Sequence, residues 1–410
     1  MIYSLAIRLL ALAYRLAVPF NIKAKQFVSG RKKLFEKLSG RFAGNNYKIV
    51  WVHCASLGEF EQGRPIIELI KSQRHDLKIL LTFFSPSGYE VRKNYEKADY
   101  IYYLPWDTPR NAQRFVEIVK PSLAIFIKYE FWYNYSNQLR KHGIPLISAS
   151  CILRSDQIFF KPYGNFFRKI LRNFNAFFVQ NQETKKLLGS IGINSVIAGD
   201  TRFDRVLQII ATAKEIDLVK SFKADQQVWV IGSCWPEDID VLSPFIHDHS
   251  YHLKFIIAPH EVNDKFLAEI ERSLQLKTVR FSKAGYDDVK NAQVLIIDNI
   301  GMLSTLYKYG EVAYVGGAFG AGLHNILEAA CYGIPIFFGN KNYEKYQEAN
   351  DLIMRGGAFE VSGYADLKAK YQLLNSNPEN YLLACEVTKS YVEENRGATK
   401  KIVDYCLSLV

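Results

Sequence analysis

Short apolar runs rich in β-branched and aromatic residues alternate with longer helical stretches along most of this chain. Such alternation is typical of βαβ units, in which helices connect the parallel strands of a sheet. The rhythm pauses between about residues 199 and 224 and resumes at Val228. A chain of 410 residues also exceeds the size at which single cores stop growing. The sequence therefore predicts an α/β protein with two domains, each built on a parallel sheet.

The predicted strands form two series, at residues 48–54, 77–83, 100–104, 123–127, 145–148 and 176–180, and then at 228–231, 253–258, 294–298, 312–315 and 335–338. The chain divides into five predicted regions: an N-terminal helix (1–22), a first Rossmann-like domain (23–204), a linker (205–224), a second Rossmann-like domain (225–389) and a C-terminal helix (390–410) that returns to the first domain. Gly397 disfavours helix within that last stretch. We expect a ligand cleft between the domains, at the carboxyl ends of their strands.

Residues 1–20 are largely apolar but carry Arg8 and Arg15. An arginine near the bilayer centre costs roughly 2.5–3.5 kcal/mol, which disfavours a spanning helix. The pattern favours a helix in the membrane interface, with four leucines facing the acyl chains: Leu5, Leu9, Leu12 and Leu16. The basic residues that follow suit anionic lipid head groups, and they are Lys23, Lys25, Arg31, Lys32, Lys33, Lys37 and Arg41. A signal peptide and a helix packed on its own domain remain alternatives.

The net charge of +11 favours an anionic partner, which charge alone does not identify among nucleic acid, phospholipid and phosphorylated substrates. Nucleic acid is the weakest of these, because the basic residues cluster beside an apolar segment and follow no nucleic-acid-binding motif. The six cysteines form no C-x-x-C pair, which favours reduced core residues in a cytoplasmic protein over a zinc or redox site.

Two segments of the first half carry candidate carboxylates where a strand ends. Glu59 follows Gly58 at the predicted start of a helix, where it is either a general base or a partner of the helix dipole. Glu130 lies among aromatic residues that bind sugar or lipid, or simply pack a helix onto the sheet. Nearby basic residues are candidates for acceptor phosphates or a solvated face: Lys128, Arg154, Lys161, Arg168 and Arg172.

A glycine-rich segment at 315–325 joins a strand to a helix in the second half and contains Gly317, His324 and Asn325. Small residues let backbone N–H groups approach a phosphate, and Glu328 in the following helix can reach ribose hydroxyls. An ordinary loop between secondary-structure elements is the alternative. Two other strand ends of this half could add donors to the same pocket, and their residues are Ser233, Pro259 and His260.

Taken in order, these segments resemble the Kdo (3-deoxy-D-manno-octulosonic acid) transferase family that is specific for lipid A. The resemblance rests on HCASLGE (53–59), SPSG (85–88), YLPWD (103–107), YEFWYN (129–134), GDTRFD (199–204), IGS (231–233), APH (258–260) and GLHNILE (322–328). An apolar N-terminus with a basic flank is also typical of the family. The ordered set is more specific than any one motif and runs along nearly the whole chain.

The resemblance implies a GT-B fold, an N-terminal membrane-anchor helix at the cytoplasmic face of the inner membrane, and inverting transfer of Kdo from CMP-Kdo to a lipid A precursor without metal or cofactor. It implies that Glu59 is the general base. The acceptor-binding residues would be Ser56, Gly58, Glu130 and Arg154, and the donor-binding residues Ser233, Pro259, His260, Gly317, His324, Asn325 and Glu328.

The sequence departs from the family at three places. His260 stands where many relatives have arginine, Ser150 replaces an arginine common after the fifth strand, and Cys234 and Trp235 replace the usual residues after Gly-Ser. The phosphate contact near His260 is therefore in doubt. Another membrane-associated GT-B enzyme that uses a UDP-sugar, and a membrane-bound nucleotide-sugar binder without activity, remain the alternative functions.

Overall fold

The computed structural model describes residues 2–410, and its strands form two parallel sheets of seven. The chain separates into two compact units. Unit 1 comprises the residues up to Arg205 together with Asn395–Val410, and unit 2 comprises Val206–Glu394. The predicted α/β class, with a parallel sheet in each half, is confirmed.

Unit 1 contains a sheet in the order β3-β2-β1-β4-β5-β6-β7. Its strands are β1 (Ile49–Cys54), β2 (Lys78–Phe83), β3 (Tyr100–Tyr103), β4 (Leu123–Ile127), β5 (Leu146–Cys151), β6 (Ala176–Val179) and β7 (Val196–Ile197). Its helices along the first part of the chain are α1 (Ile2–Ala17), α2 (Ile22–Ser29), α3 (Leu34–Phe42), α4 (Leu57–Gln73), α5 (Pro86–Arg92), α6 (Pro109–Val119), α7 (Tyr133–Lys141), α8 (Asn165–Leu171), α9 (Gln182–Ser190) and α10 (Thr201–Thr212).

Helices cover both faces of the first sheet. Successive side chains of each strand point to opposite faces, so each strand contributes to two cores. On β1, Trp51 packs into one core together with residues of α3, α6 and α7. Val50 and Val52 pack into the other core, together with residues of α4. All six residues of β1 are buried, as expected for a central strand of a parallel sheet.

Helix α1 forms where a helix was predicted, and its outward face is apolar. Large side chains exposed along and after it are Ile2, Leu5, Leu9, Leu10, Leu12, Leu16, Phe20 and Ile22. Within residues 2–410, no helix is both long and apolar enough to cross a membrane. The predicted interfacial position of α1 stays a prediction. In the basic segment after α1, Arg31 differs from its neighbours, since its half-buried guanidinium donates to the carbonyls of Phe27, Phe84 and Leu104.

Unit 2 contains a sheet in the order β10-β11-β9-β8-β12-β13-β14. Its strands are β8 (Gln227–Cys234), β9 (Leu253–Pro259), β10 (Thr278–Arg280), β11 (Val294–Ile296), β12 (Val312–Val315), β13 (Ile336–Gly339) and β14 (Ala358–Val361). Its helices are α11 (Asp217–Lys223), α12 (Pro236–His249), α13 (Asp264–Leu274), α14 (Tyr286–Lys290), α15 (Leu303–Leu306), α16 (Leu327–Ala330), α17 (Gln347–Arg355), α18 (Tyr364–Ser376) and α19 (Pro378–Glu394).

Two segments differ from the sequence prediction in detail. The segment predicted as a linker consists largely of the end of α10 and of α11, because Val206, Val219 and Phe222 give these polar stretches a buried side. The single C-terminal helix predicted at 390–410 is divided between α19 and a further helix, α20 (Ala398–Leu407). The break occurs at Gly397, whose φ of 101° interrupts the helix.

Helix α20 belongs to unit 1 and packs against α4. Asp204 holds its start, because its two carboxylate oxygens accept from the backbone N–H groups of Gly397 (2.6 Å) and Thr399 (2.7 Å). Ile402, Val403 and Cys406 of α20 are fully buried in the core that also contains the inner residues of α4. The GDTRFD segment therefore attaches the C-terminal helix to the first unit.

Candidate functional site

Each sheet has one place where the chain order reverses. In unit 1, β1 lies between β2 and β4, and in unit 2, β8 lies between β9 and β12. The connections that leave two such neighbouring strands diverge, which opens a crevice at the carboxyl ends where α/β proteins bind ligands. Glu59 and Glu130 follow β1 and β4, while Ser233 and Gly317 follow β8 and β12. These four sequence-predicted residues thus lie at the two switch points.

Glu59 lies in the first turn of α4, immediately beyond β1, and is 8% exposed. The Ser56 hydroxyl donates a hydrogen bond to Glu59 Oε2. Gly58 lies in the same first turn, and a Cβ there would meet nothing closer than Ser56 Oγ at 3.8 Å, so this position does not require glycine. Glu59 is therefore a nearly buried carboxylate in the first turn of a helix, hydrogen-bonded by the Ser56 hydroxyl.

Glu130 is oriented by an aromatic side chain. The Trp132 indole N–H lies 2.9 Å from Glu130 Oε2 and 3.2 Å from His53 Nε2. His53 is fully buried on β1, and its Nδ1 lies 3.1 Å from the Thr82 carbonyl, which can only accept. A ring with its proton on Nδ1 donates to that carbonyl and leaves Nε2 to accept from the Trp132 indole N–H, which also donates to the carboxylate.

The two carboxylates act on the same neighbouring groups. Burial raises the pKa of the Tyr129 hydroxyl, and Glu59 and Glu130 raise it further. The same two carboxylates follow burial among the causes that raise the pKa of the Cys54 thiol. Two negative groups thus lie at one end of β1 and β4, an arrangement suited to handling a proton and a polar substrate group.

The predicted phosphate-binding arginines differ in their availability. Arg154 is 68% exposed, lies 3.4 Å from Asp156, and is close enough to Tyr129 to lower the pKa of its hydroxyl in part. Arg168 instead donates to the backbone carbonyls of Phe159 and Lys161, which makes it a structural residue of the loop before α8. Arg154 therefore remains the better candidate for an anionic acceptor group.

In unit 2, the glycine-rich segment forms a tight turn after β12. Gly317 has a φ of 95°, and its N–H donates to Asp238 Oδ2 at 2.9 Å. A Cβ on Gly316 would lie 2.5 Å from the Ser233 carbonyl oxygen, so only glycine fits there. The Tyr314 hydroxyl donates to the other oxygen of the buried Asp238, whose pKa is raised by burial. The turn is thus fixed in place by one carboxylate.

Three aromatic rings stack beside this turn. The Trp235 and His260 rings lie 4.5 Å apart at 19°, and the His260 and His324 rings lie 4.4 Å apart at 30°. The Trp235 indole N–H donates to His324 Nε2 at 3.0 Å. Burial, followed by the charge of His260, lowers the pKa of His324 to about 4, and burial also lowers that of His260. Both histidines are therefore neutral at pH 7.

The remaining donor-site candidates lie next to the stack. Pro259 is the buried last residue of β9 and directly precedes His260, and Ser233 has a positive φ of 52° at the end of β8. Asn325 Nδ2 donates to Glu328 Oε1 at 3.1 Å. Glu328 lies in a helix, as predicted, and this helix is the four-residue α16. The segment continues to Cys331 and ends near Gly333, whose positive φ turns the chain.

Sequence reasoning missed several residues that shape these sites. Trp235 was noted only as a departure from the family, although it contacts both histidines. Asp238 lies in the first turn of α12, where an acidic residue is expected as a cap of its own helix. Nothing in the sequence indicates that it also accepts a hydrogen bond from the Gly317 N–H. Among residues 2–410, no cluster of three or more His, Cys, Asp or Glu side chains could hold a metal ion.

A family model described as 3-Deoxy-D-manno-octulosonic-acid transferase (kdotransferase) matches residues 29–205. A 3-deoxy-D-manno-octulosonic acid transferase from Aquifex aeolicus (strain VF5) is 29% identical over 331 residues, which cover 78% of this chain and 84% of that protein. Another from Haemophilus influenzae (strain ATCC 51907 / DSM 11121 / KW20 / Rd) is 25% identical over 369 residues, which cover 87% of this chain and 86% of that protein. The similarity therefore extends over both units.

Among solved structures, UDP-GlcNAc 2-epimerase from Neisseria meningitidis, bound to UDP-GlcNAc, matches with a TM-score of 0.62 and 16% sequence identity. The match covers 88% of this chain and all of that one. At such identity the likeness concerns the fold, and it confirms the GT-B architecture that the sequence resemblance implies.

Proposed function

The chain belongs to the Kdo transferase family of glycosyltransferases, and from this premise we propose that it transfers Kdo from CMP-Kdo to a lipid A precursor. The observation that carries the proposal is the pair of carboxylates, Glu59 and Glu130, at the switch point of the first sheet. Its relatives are named Kdo transferases.

In the proposed step, Glu59 accepts the proton of an acceptor sugar hydroxyl while that oxygen forms a bond to the anomeric carbon of Kdo. The bond from this carbon to the phosphate oxygen of CMP breaks, and CMP leaves with the electron pair. Attack from the face opposite the leaving group inverts the anomeric centre. The Ser56 hydroxyl donates to the Glu59 carboxylate and so fixes this proton acceptor at a nearly buried position.

Acceptor binding is proposed for unit 1. Glu130 is held by the Trp132 indole N–H, and we place it against acceptor sugar hydroxyls, with Ser56 and Gly58 at the same end of β1. The exposed Arg154 is proposed to meet an acceptor phosphate, as its guanidinium can donate two parallel hydrogen bonds to such a group.

Donor binding is proposed for unit 2. The turn at Gly317 offers close backbone approach to the phosphate of CMP, and the neighbouring Ser233, Pro259 and His260 complete one side of the pocket. Asn325 and Glu328 are proposed to contact the nucleoside. Because His260 and His324 are neutral at pH 7, the leaving phosphate is stabilised by N–H donors rather than by imidazolium charge.

We further propose that α1 lies in the cytoplasmic face of the inner membrane. Its exposed leucines would enter the acyl boundary, and lysines exposed just after it would meet anionic head groups: Lys23, Lys25, Lys32, Lys33 and Lys37. A lipid acceptor inserted in the same bilayer would then be reached without leaving the membrane surface.

The test is to incubate the detergent-solubilised full chain with a tetraacylated lipid A precursor and freshly generated CMP-Kdo. We expect release of CMP and a product heavier by one or more Kdo residues in the mass spectrum, with the rate unchanged by EDTA. A parallel incubation supplies UDP-sugars in place of CMP-Kdo. Release of UDP with a glycosylated product would replace the proposal by the alternative UDP-sugar enzyme, and nucleotide binding without any product would support a non-catalytic binder.

A further inference from the structure

Helix α7 begins at Tyr133, directly after Trp132, and its start is capped from elsewhere in the chain. The first backbone N–H groups of a helix need acceptors, and the indole of Trp132 has none to offer. Asp107 supplies both missing acceptors, since its Oδ2 and Oδ1 each lie 3.0 Å from the backbone nitrogens of Asn134 and Tyr135. Asp107 is fully buried, so its carboxylate depends on these donors.

Helix α1 reaches the same carboxylate. The Tyr3 hydroxyl donates to Asp107 Oδ2 at 2.7 Å and accepts from the Tyr133 N–H at 3.5 Å. Ser4 Oγ lies 3.5 Å from Asn134 Nδ2. The Tyr3 and Tyr133 rings also meet edge to face, with centroids 5.5 Å apart. The first turn of α7 is therefore held from one side by the helix whose opposite face is apolar and exposed.

The same turn determines where Glu130 lies. Trp132 is the residue that precedes α7, so the cap on α7 fixes its backbone. Its indole N–H donates to Glu130 Oε2 at 2.9 Å and lies 3.2 Å from His53 Nε2. A displacement of the start of α7 would move this indole and release the carboxylate that it holds.

Resting on the proposed function, we propose that Asp107 is a positioning residue for Glu130, and that Tyr3 makes this positioning depend on helix α1. Transfer then responds to what α1 contacts, although α1 supplies no group to the reaction. Burial raises the pKa of Asp107 to about 6, so the carboxylate is ionised at pH 7 and accepts from its donors. Burial and Asp107 raise the pKa of the Tyr3 hydroxyl, which keeps it a donor.

The test compares two tyrosines of the same helix in the full chain. Tyr3→Phe removes only the hydroxyl that bonds Asp107. Tyr14→Phe is the matched control, because Tyr14 stacks on Phe27 at 4.3 Å and, within residues 2–410, its hydroxyl has no hydrogen bond. The readouts are kcat and KM for Kdo transfer, and the NMR signal of the Trp132 indole N–H, identified by its loss in Trp132→Phe.

We expect Tyr3→Phe to shift the Trp132 signal and to lower kcat by about threefold to tenfold with KM for CMP-Kdo unchanged, since small misplacements of a reacting group slow the chemical step. Asp107→Asn should shift the Trp132 signal further and lower kcat more. Tyr14→Phe should do neither. Should Asp107→Asn fail to fold, Tyr3→Phe alone decides the matter.

An unmoved Trp132 signal in Tyr3→Phe, or a shifted signal with kcat equal to that of Tyr14→Phe, would overturn the positioning role even in an enzyme that transfers Kdo. The positioning role and the proposed function can also fail separately. A wild-type chain without Kdo transfer, whose Trp132 signal nevertheless shifts in Tyr3→Phe and not in Tyr14→Phe, would refute the proposed function while supporting the structural link from α1 to Glu130.

Discussion

The two units use the same place in the same kind of sheet in different ways. At the switch point of unit 1 the functional groups are ionisable side chains, Glu59 and Glu130, each held by a single side-chain donor. At that of unit 2 they are chiefly a backbone turn at Gly317 and the rings of Trp235 and His324, with the Asp238 carboxylate buried behind the turn. The first unit therefore offers carboxylates that can exchange a proton during a reaction, whereas the second offers chiefly a rigid backbone turn and stacked rings.

The largest expected effect concerns the Glu59 carboxylate of unit 1. Glu59→Gln keeps the size of the side chain and removes its basicity, so kcat for Kdo transfer should fall by roughly 10²–10⁴-fold. Binding of CMP, measured by calorimetric titration, should stay unchanged. Glu61→Gln on the same helix is the control, because Glu61 pairs with Arg92 at 2.9 Å. Full activity in Glu59→Gln would remove the general base from the mechanism.

The next largest effect concerns the rigid backbone turn of unit 2. Gly316→Ala would place a Cβ 2.5 Å from the Ser233 carbonyl oxygen and should cost about 1–3 kcal/mol of stability while weakening CMP binding. Gly320→Ala in the same loop is the control, because its Cβ would meet nothing closer than Glu237 at 3.6 Å. Calorimetric Tm and CMP titration check both variants. If Gly316→Ala and Gly320→Ala had the same Tm and the same affinity for CMP, the turn would not be rigid.

The smallest expected effect is the pH dependence of stability that the His324 ring gives to unit 2. His324 titrates at about pH 4 in the folded chain and near 6.5 when unfolded, so only the unfolded chain gains this proton between those values. Its contribution to stability is complete above about pH 6.5 and is lost as pH falls towards 4, by roughly 1 kcal/mol after allowance for solvent screening.

Calorimetric Tm values at pH 5 and pH 7 check this expectation. His324→Gln keeps an acceptor for the Trp235 indole N–H, and it should reduce the difference between the two Tm values. The control is His247→Gln, which replaces an exposed histidine on α12. An undiminished difference in His324→Gln would show that burial of this ring does not govern the pH response of unit 2.

The sequence predicted the central strands of both sheets well, because fully buried parallel strands such as β4 and β12 read as continuous apolar runs. It missed the short strands β7, β10 and β14, which lie at or near the sheet edges. Strand β7 consists of two exposed residues, Val196 and Ile197, and so short a run carries no periodic pattern. These strands can be identified only from their pairing with a neighbouring strand in the structure.

The candidate sites divide in the same way. Glu59 and Glu130 were predicted to share one sheet edge, because both follow strands that end there. The bond from Trp235 to His324 joins residues 89 positions apart, and that from Asp107 to the start of α7 spans 27. Such contacts depend on the conformation of two loops at once, which local pattern does not determine.

The return of α20 to unit 1 has a consequence for the order in which the protein matures. During synthesis, residues 395–410 emerge after the whole of unit 2, which is one continuous stretch of chain. Unit 2 can reach its final packing while the apolar surface beside α4 still awaits Ile402, Val403 and Cys406. A nascent first unit would therefore need protection from aggregation for longer than the second, and cutting the chain at residue 205 would not yield an independently stable half.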